Sequence, residues 1–194
     1  MAVQPGRYRL GPDHGRLILR TARDGMAATA GHDLTIEVSR WSGELTVSGN
    51  GNGPAPAGLD LRIELGSLTV LQGTGGIKPL TDRDRREIAV TARKVLGAGR
   101  HPEAVFTADG FQAGSGGGWL VSGSLTLNGQ TRPVQLRVSQ AAGGRFRATS
   151  SVTQSQYGIK PYTAFLGALK VRDAVDIEAD AELGEPDGGP GAAS

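Results

Sequence analysis

Three histidines, His14, His32 and His101, are the only imidazoles among 194 residues, and the chain has no cysteine. That absence removes thiolate nucleophiles, disulfides and cysteine-ligated metals together. The histidines give no metal pattern either: none are spaced i, i+4, and no H-E-x-x-H motif occurs. His14 sits in the turn signal GPDHG, and His101 precedes Pro102 at the expected start of a strand. His32, in AGHDL, directly precedes an alternating segment, so it is expected either at a barrel mouth facing a polar headgroup or as an ordinary hydrogen-bonding imidazole.

Other catalytic patterns are incomplete. His32 and Asp33 are adjacent, which keeps a lipid-modifying hydrolase or isomerase as the enzymatic alternative, but no G-x-S-x-G elbow supplies a nucleophile. GTGGIKPLT lacks the G-K-[ST] ending of a phosphate loop. Gly75, Gly76 and Lys78 still precede a helix start, where free amides and a lysine suit a diphosphate; the alternative is a plain loop with a solvated lysine. Arg83, Arg85, Arg86, Arg93 and Lys94 are interrupted by Asp82, Asp84 and Glu87 and lack stacking aromatics, so they read as a solvated face rather than a nucleic-acid site.

The elements that must position these groups are mostly strands. Leu34, Ile36 and Val38 alternate with polar neighbours, as do Leu59 to Leu65, Val134 to Val138, and Val175 to Ala181. Period-2 alternation of this kind gives antiparallel strands with one buried and one wet face. SLTLNGQTRPVQLRV (124–138) is a hairpin whose Asn128-Gly129 supplies the positive φ angles of a tight turn, and Pro133 belongs at a strand start or an edge. One helix interrupts the strands. Thr81 and Asp84 form a capping box, Ile88, Ala92, Val95 and Leu96 make one apolar stripe, and Gly97 ends it.

GIKPYTAFLGALKVRD (158–173), echoed by GIKPLTD at 76–82, is too short and too broken by Pro161 and Gly167 to span a membrane. Residues 158–168 read as a loop entering the last strand. Tyr162, Phe165 and Leu166 are then either a lid over apolar space or a plug in one barrel end. Charges nearly balance, with 21 basic and 19 acidic side chains, so no strong field draws the chain to nucleic acid or anionic membrane. The N-terminus has neither a basic nor an apolar leader region, and a cytoplasmic location is expected.

YRLGPDHGRLIL (8–19), RHPEAVFTADGF (100–111), SGSLTLNGQTRPVQLRV (122–138) and SQYGIK (155–160), in that order, resemble the YceI-like family of lipid-binding proteins. The resemblance spans roughly residues 7–183. It implies an all-β fold: an extended, lipocalin-like antiparallel barrel of about eight strands, with one mid-chain helix beside it. It also implies an apolar channel for a long amphiphile (polyisoprenoid, isoprenoid quinone or fatty-acyl lipid), no required cofactor, and compatibility with a homodimer. The sequence departs from the family pattern in lacking the secretion signal of many members, at GMAATAGHDL, and around GIKPYTAFLGALKVRD.

The expectation is therefore one barrel domain over 1–183 and a disordered tail over 184–194. The function expected is non-catalytic binding, storage or transport, with a ligand-free interaction module as another reading. Leu34, Ile36, Val38, Leu61, Ile63, Phe106 and Phe146 are the candidate channel residues, Tyr162, Phe165 and Leu166 the rim, and His32, Lys78 and Lys160 the headgroup candidates.

Overall fold

The computed structural model describes residues 3–50 and 53–187. Fourteen strands are formed there: β1 (Gly6–Leu10), β2 (Gly15–Thr21), β3 (Arg23–Asp24), β4 (His32–Val38), β5 (Trp41–Asn50), β6 (Gly53–Glu64), β7 (Leu68–Gly75), β8 (Glu103–Ala113), β9 (Trp119–Leu127), β10 (Gln130–Gln140), β11 (Arg145–Thr153), β12 (Thr163–Ala164), β13 (Leu169–Val171) and β14 (Ala174–Glu182). Eleven of them make one antiparallel sheet in the order β1-β5-β6-β8-β9-β10-β11-β14-β2-β4-β7.

The sheet curls into an elongated barrel because its longest strands bend. β1 pairs with β5 while β2 pairs with β4, in nearly the same register, so residues 6–21 act as one strand interrupted by the GPDH turn. The same holds for β4 with β5 and for β6 with β7. β2 also pairs with β14, so the pairing returns to the strand from which it began. Counted this way there are about eight strands, the number at which a closed barrel interior is filled or holds one small ligand.

Buried Ser67 holds the bend between β6 and β7. Its hydroxyl donates to the Glu64 carbonyl at 2.8 Å and accepts from the Arg40 amide at 3.0 Å, while its carbonyl accepts from the Ser39 amide at 3.2 Å. Backbone groups freed from the ladder at a bend need such partners, since unpaired buried amides are costly. The β9–β10 hairpin forms as expected, with Asn128 and Gly129 at φ 49° and 72°.

The helix, α1 (Asp82–Val95), also follows its sequence signals. Thr81 and Asp84 form the reciprocal capping box. At the other end the Gly97 and Ala98 amides donate back to the Lys94 and Arg93 carbonyls, with Gly97 in the left-handed region. Its apolar stripe packs on β7, burying Ala89 beside Ile36, Leu68 and Val70. Arg93 is no part of a solvated face: its guanidinium reaches back to the Leu68 carbonyl at 2.8 Å.

Two expectations are revised. Residues 184–187 run alongside β1 rather than starting a disordered tail: the Asp187 amide donates to the Arg7 carbonyl at 2.7 Å, and its carboxylate meets Arg9 at 2.7 Å. The remainder of the 184–194 tail lies outside the described residues. The segment 158–173 contributes β12 and β13, which form a separate three-stranded sheet with β3.

Candidate channel inside the barrel

Inward-facing side chains of the strands enclose a cavity of about 480 Å³. Its wall is almost wholly apolar. Leu17, Leu61, Phe106, Val121, Leu136 and Ile177 come from six different strands, and Trp41 and Trp119 add the two indoles. Among the lining residues none is ionisable, and Gln140, Thr149, Ser150 and Gln154 are the polar ones. This is the composition of a site for an apolar chain, and the volume is within the range of small-ligand pockets.

The two ends differ. At one end Val3, Pro54, Pro56, Trp119, Phe146 and Leu183 make a partly exposed apolar mouth. At the other, Leu65, Leu96, Leu127 and Val152 meet the turn 154–159, where Tyr157 and Ile159 are 1% and 2% exposed. That end is closed. Asn128 fixes the closure by donating from its side-chain amide to the Tyr157 carbonyl at 3.0 Å. Among the described residues the Tyr157 hydroxyl has no hydrogen-bond partner, and burial pushes its pKa above the ordinary value while Arg132 pulls the other way.

The candidate channel residues divide. Val38, Leu61, Ile63, Phe106 and Phe146 line the cavity. Ile36 instead packs under α1 beside Leu68, and Leu34 lies against the same cluster. The reason is the position of α1: one face of β4 packs under the helix first and enters the channel only at Val38. Trp41, Trp119, Val121, Leu125, Ile177 and Ala179 also line the channel and were missed, although the alternation of 175–181 marked the right face.

The rim and headgroup candidates lie elsewhere. Tyr162, Phe165 and Leu166 do not line the channel; they stand on the small sheet beyond its closed end, 44%, 65% and 109% exposed. Nor do His32, Lys78 and Lys160 line it. His32 donates from Nε2 to the Lys78 carbonyl at 2.8 Å, tying β4 to the loop before the helix. The two GIKP copies are not equivalent, since Ile159 is buried in the core and Ile77 is 79% exposed.

The catalytic and anion-binding alternatives gain no geometry. Asp33 accepts from the Arg23 amide at 2.8 Å, so it is engaged away from the His32 ring. At the helix start the Thr81 hydroxyl and Asp84 carboxylate occupy each other's backbone amides, and Asp82 and Asp84 put negative charge where a diphosphate would sit. The Thr81 bonds hold the Asp84 carboxyl below the usual carboxylate range. Among the described residues no three potential ligands gather to hold a metal, and no helix is long and apolar enough to cross a membrane.

Fold and cavity together define an elongated antiparallel barrel with an internal apolar channel. Residues 8–183 match the family model of the YceI-like domain, and the chain belongs to that family. Among solved structures it is similar to BcnA of Burkholderia cenocepacia, at 17% identity and a TM-score of 0.53, with 86% of this chain and 94% of that chain covered. It is also similar to the YceI protein of Campylobacter jejuni, at 16% identity and a TM-score of 0.49, with 77% and 84% covered. No curated protein matches the chain.

Proposed function

We propose that the chain binds and carries a long-chain amphiphile without transforming it, the ligand being a polyisoprenoid, an isoprenoid quinone or a fatty-acyl lipid. The observation that carries this reading is the apolar channel: a cavity of about 480 Å³ whose wall has no ionisable side chain. Each methylene taken from water into such a wall is worth about 0.8 kcal/mol, so ten give roughly 8 kcal/mol before the costs of ordering. A barrel with an interior filled by its own side chains would leave no such space, which favours a carrier over a ligand-free module.

The test is native mass spectrometry of gently purified protein beside analysis of its organic extract. A stoichiometric isoprenoid, quinone or acyl lipid is expected. Protein that carries none and also refuses added isoprenoids and fatty acids would overturn the carrier reading.

A further inference from the structure

The barrel wall is not evenly sealed. β10 and β11 are paired only from Arg137↔Thr149 to Gln140↔Phe146. Towards the closed end, residues 130–136 of β10 remain paired with β9, and residues 150–153 of β11 with β14, but not with each other. Across the separation the Ser150 hydroxyl donates to the Gln135 carbonyl at 2.9 Å, a side chain standing where a ladder bond would be. Pro133, which has no amide hydrogen to offer, lies on this open edge.

A second cavity of about 610 Å³ occupies the separation. Thr149, Ser150, Val152 and Ile177 belong to its wall and to the wall of the channel alike, so the two spaces are neighbours through the seam. Tyr157, 1% exposed and with an unpartnered hydroxyl, lines it at the closed end. Unsatisfied buried hydroxyls are rare because each leaves a desolvated donor without compensation. The lining of the recess carries both signs, Arg20 and Arg137 with Asp176 and Glu178, and Arg20 is already bound to Glu178 at 2.9 Å.

Resting on the carrier reading above, we infer that the β10–β11 seam is a side entrance to the channel and the seat of the ligand's polar end, which is an uncharged oxygen head, a hydroxyl or a carbonyl. The tail lies in the apolar lumen; the Tyr157 hydroxyl donates to the head oxygen, and the Ser150 oxygen, whose proton goes to the Gln135 carbonyl, accepts from a hydroxyl head. A diphosphate or carboxylate head would approach Asp176 and Glu178 and would compete with Glu178 for Arg20. A neutral oxygen finds a donor that otherwise has no partner.

Three twenty-carbon probes test this: geranylgeraniol, geranylgeranyl diphosphate, and the hydrocarbon of the same chain without the hydroxyl. The alcohol is expected to bind more tightly than either of the others; a diphosphate that binds more tightly than the alcohol overturns the neutral-head assignment. Tyr157→Phe is expected to weaken the alcohol about three- to tenfold and leave the hydrocarbon unchanged. Equal losses for both would overturn the role of the hydroxyl. The chain has no cysteine, so Gln135→Cys with Ser151→Cys can be bridged across the seam by a short reversible thiol reagent. Bridging is expected to slow loading of geranylgeraniol at least tenfold, with recovery on reduction. Unchanged loading through a bridged seam overturns the side entrance alone, whereas failure of all three probes to bind the unmodified chain overturns the carrier reading beneath it.

Discussion

The side-chain amide of Asn128 donates to the backbone carbonyl of Tyr157 at 3.0 Å, joining the β9–β10 hairpin to the turn that closes the channel. One residue serves two purposes here, because Asn128 is also the first left-handed position of the hairpin turn, at φ 49°. The two contributions separate by substitution. Asn128→Gly keeps the turn and loses the bond, at an expected cost of about 1 kcal/mol, or about 2–4 °C in Tm for a chain of this size. Asn128→Ala loses the bond and also forces alanine into the left-handed region, which adds about 1–2 kcal/mol. Thermal unfolding of both variants checks this; equal Tm values would show that the turn conformation contributes nothing.

Buried side chains that pack under the helix and those that line the channel are expected to respond differently to truncation. Ile36 is 3% exposed and packs with Leu68 and Ala89 between β4, β7 and α1, away from the channel. Ile36→Ala is expected to destabilise the fold by about 2–5 kcal/mol and to leave ligand affinity of the folded protein unchanged. Urea unfolding together with lipid titration measures both. A variant of normal stability but reduced affinity would place Ile36 in the channel after all.

Ala148 and Ala179 face each other across β11 and β14, and both line the channel, so two small side chains leave room in the lumen there. Ala148→Phe fills this space. The expected result is at least a tenfold loss of affinity for a twenty-carbon chain, with an unfolding free energy within about 3 kcal/mol of the parent, the usual range for an added core volume. Unimpaired binding would mean that the tail does not pass this point.

Much of this arrangement is legible in the residues themselves. The capping box at Thr81, the Asn128-Gly129 turn and the alternation of 175–181 are local signals, each with a fixed period or conformational demand, and all three hold in the structure. The division of labour between Ile36 and Val38 is different in kind. Both are buried residues on one face of one strand, and only the place where α1 lies decides that Ile36 meets the helix and Val38 the lumen. The seam is equally non-local, since it depends on where β10 and β11 part. Pro133 was the one hint of an open edge. Tyr162, Phe165 and Leu166 misled for the same reason in reverse: an apolar loop has no period from which to tell a lining from an outer surface.

Those three residues therefore provide a sharp comparison. Phe165 and Leu166 both hold left-handed backbone conformations on a tip that projects into solvent, beyond the closed end of the channel. Tyr162→Ser and Phe165→Ser are expected to leave lipid affinity and loading rate within about twofold of the parent, surface substitutions usually being nearly neutral. Fluorescence titration with a labelled isoprenoid measures both quantities. A large loss would restore the lid reading.

Glu178 on β14 ties the closure of the barrel together. Arg20 on β2 grips its carboxylate at 2.9 and 3.3 Å, and Arg147 on β11 binds it from the other side at 2.9 Å. Bonding by Arg20 and then Arg147 holds the Glu178 carboxyl below its ordinary range, against the opposing effect of partial burial. A carboxyl whose pKa is depressed by folding stabilises the native state fully above its unfolded value, about 4.3. That stabilisation fades as the pH falls through the lower folded value. The parent is thus expected to lose stability on acidification below about pH 4.3, and Glu178→Gln to be less stable than the parent at neutral pH but to lose less on acidification. Urea midpoints measured from about pH 3 to pH 7 test the sign. Parallel curves for the two proteins would show that the Arg20–Glu178–Arg147 bridge adds no pH-dependent stability to the barrel.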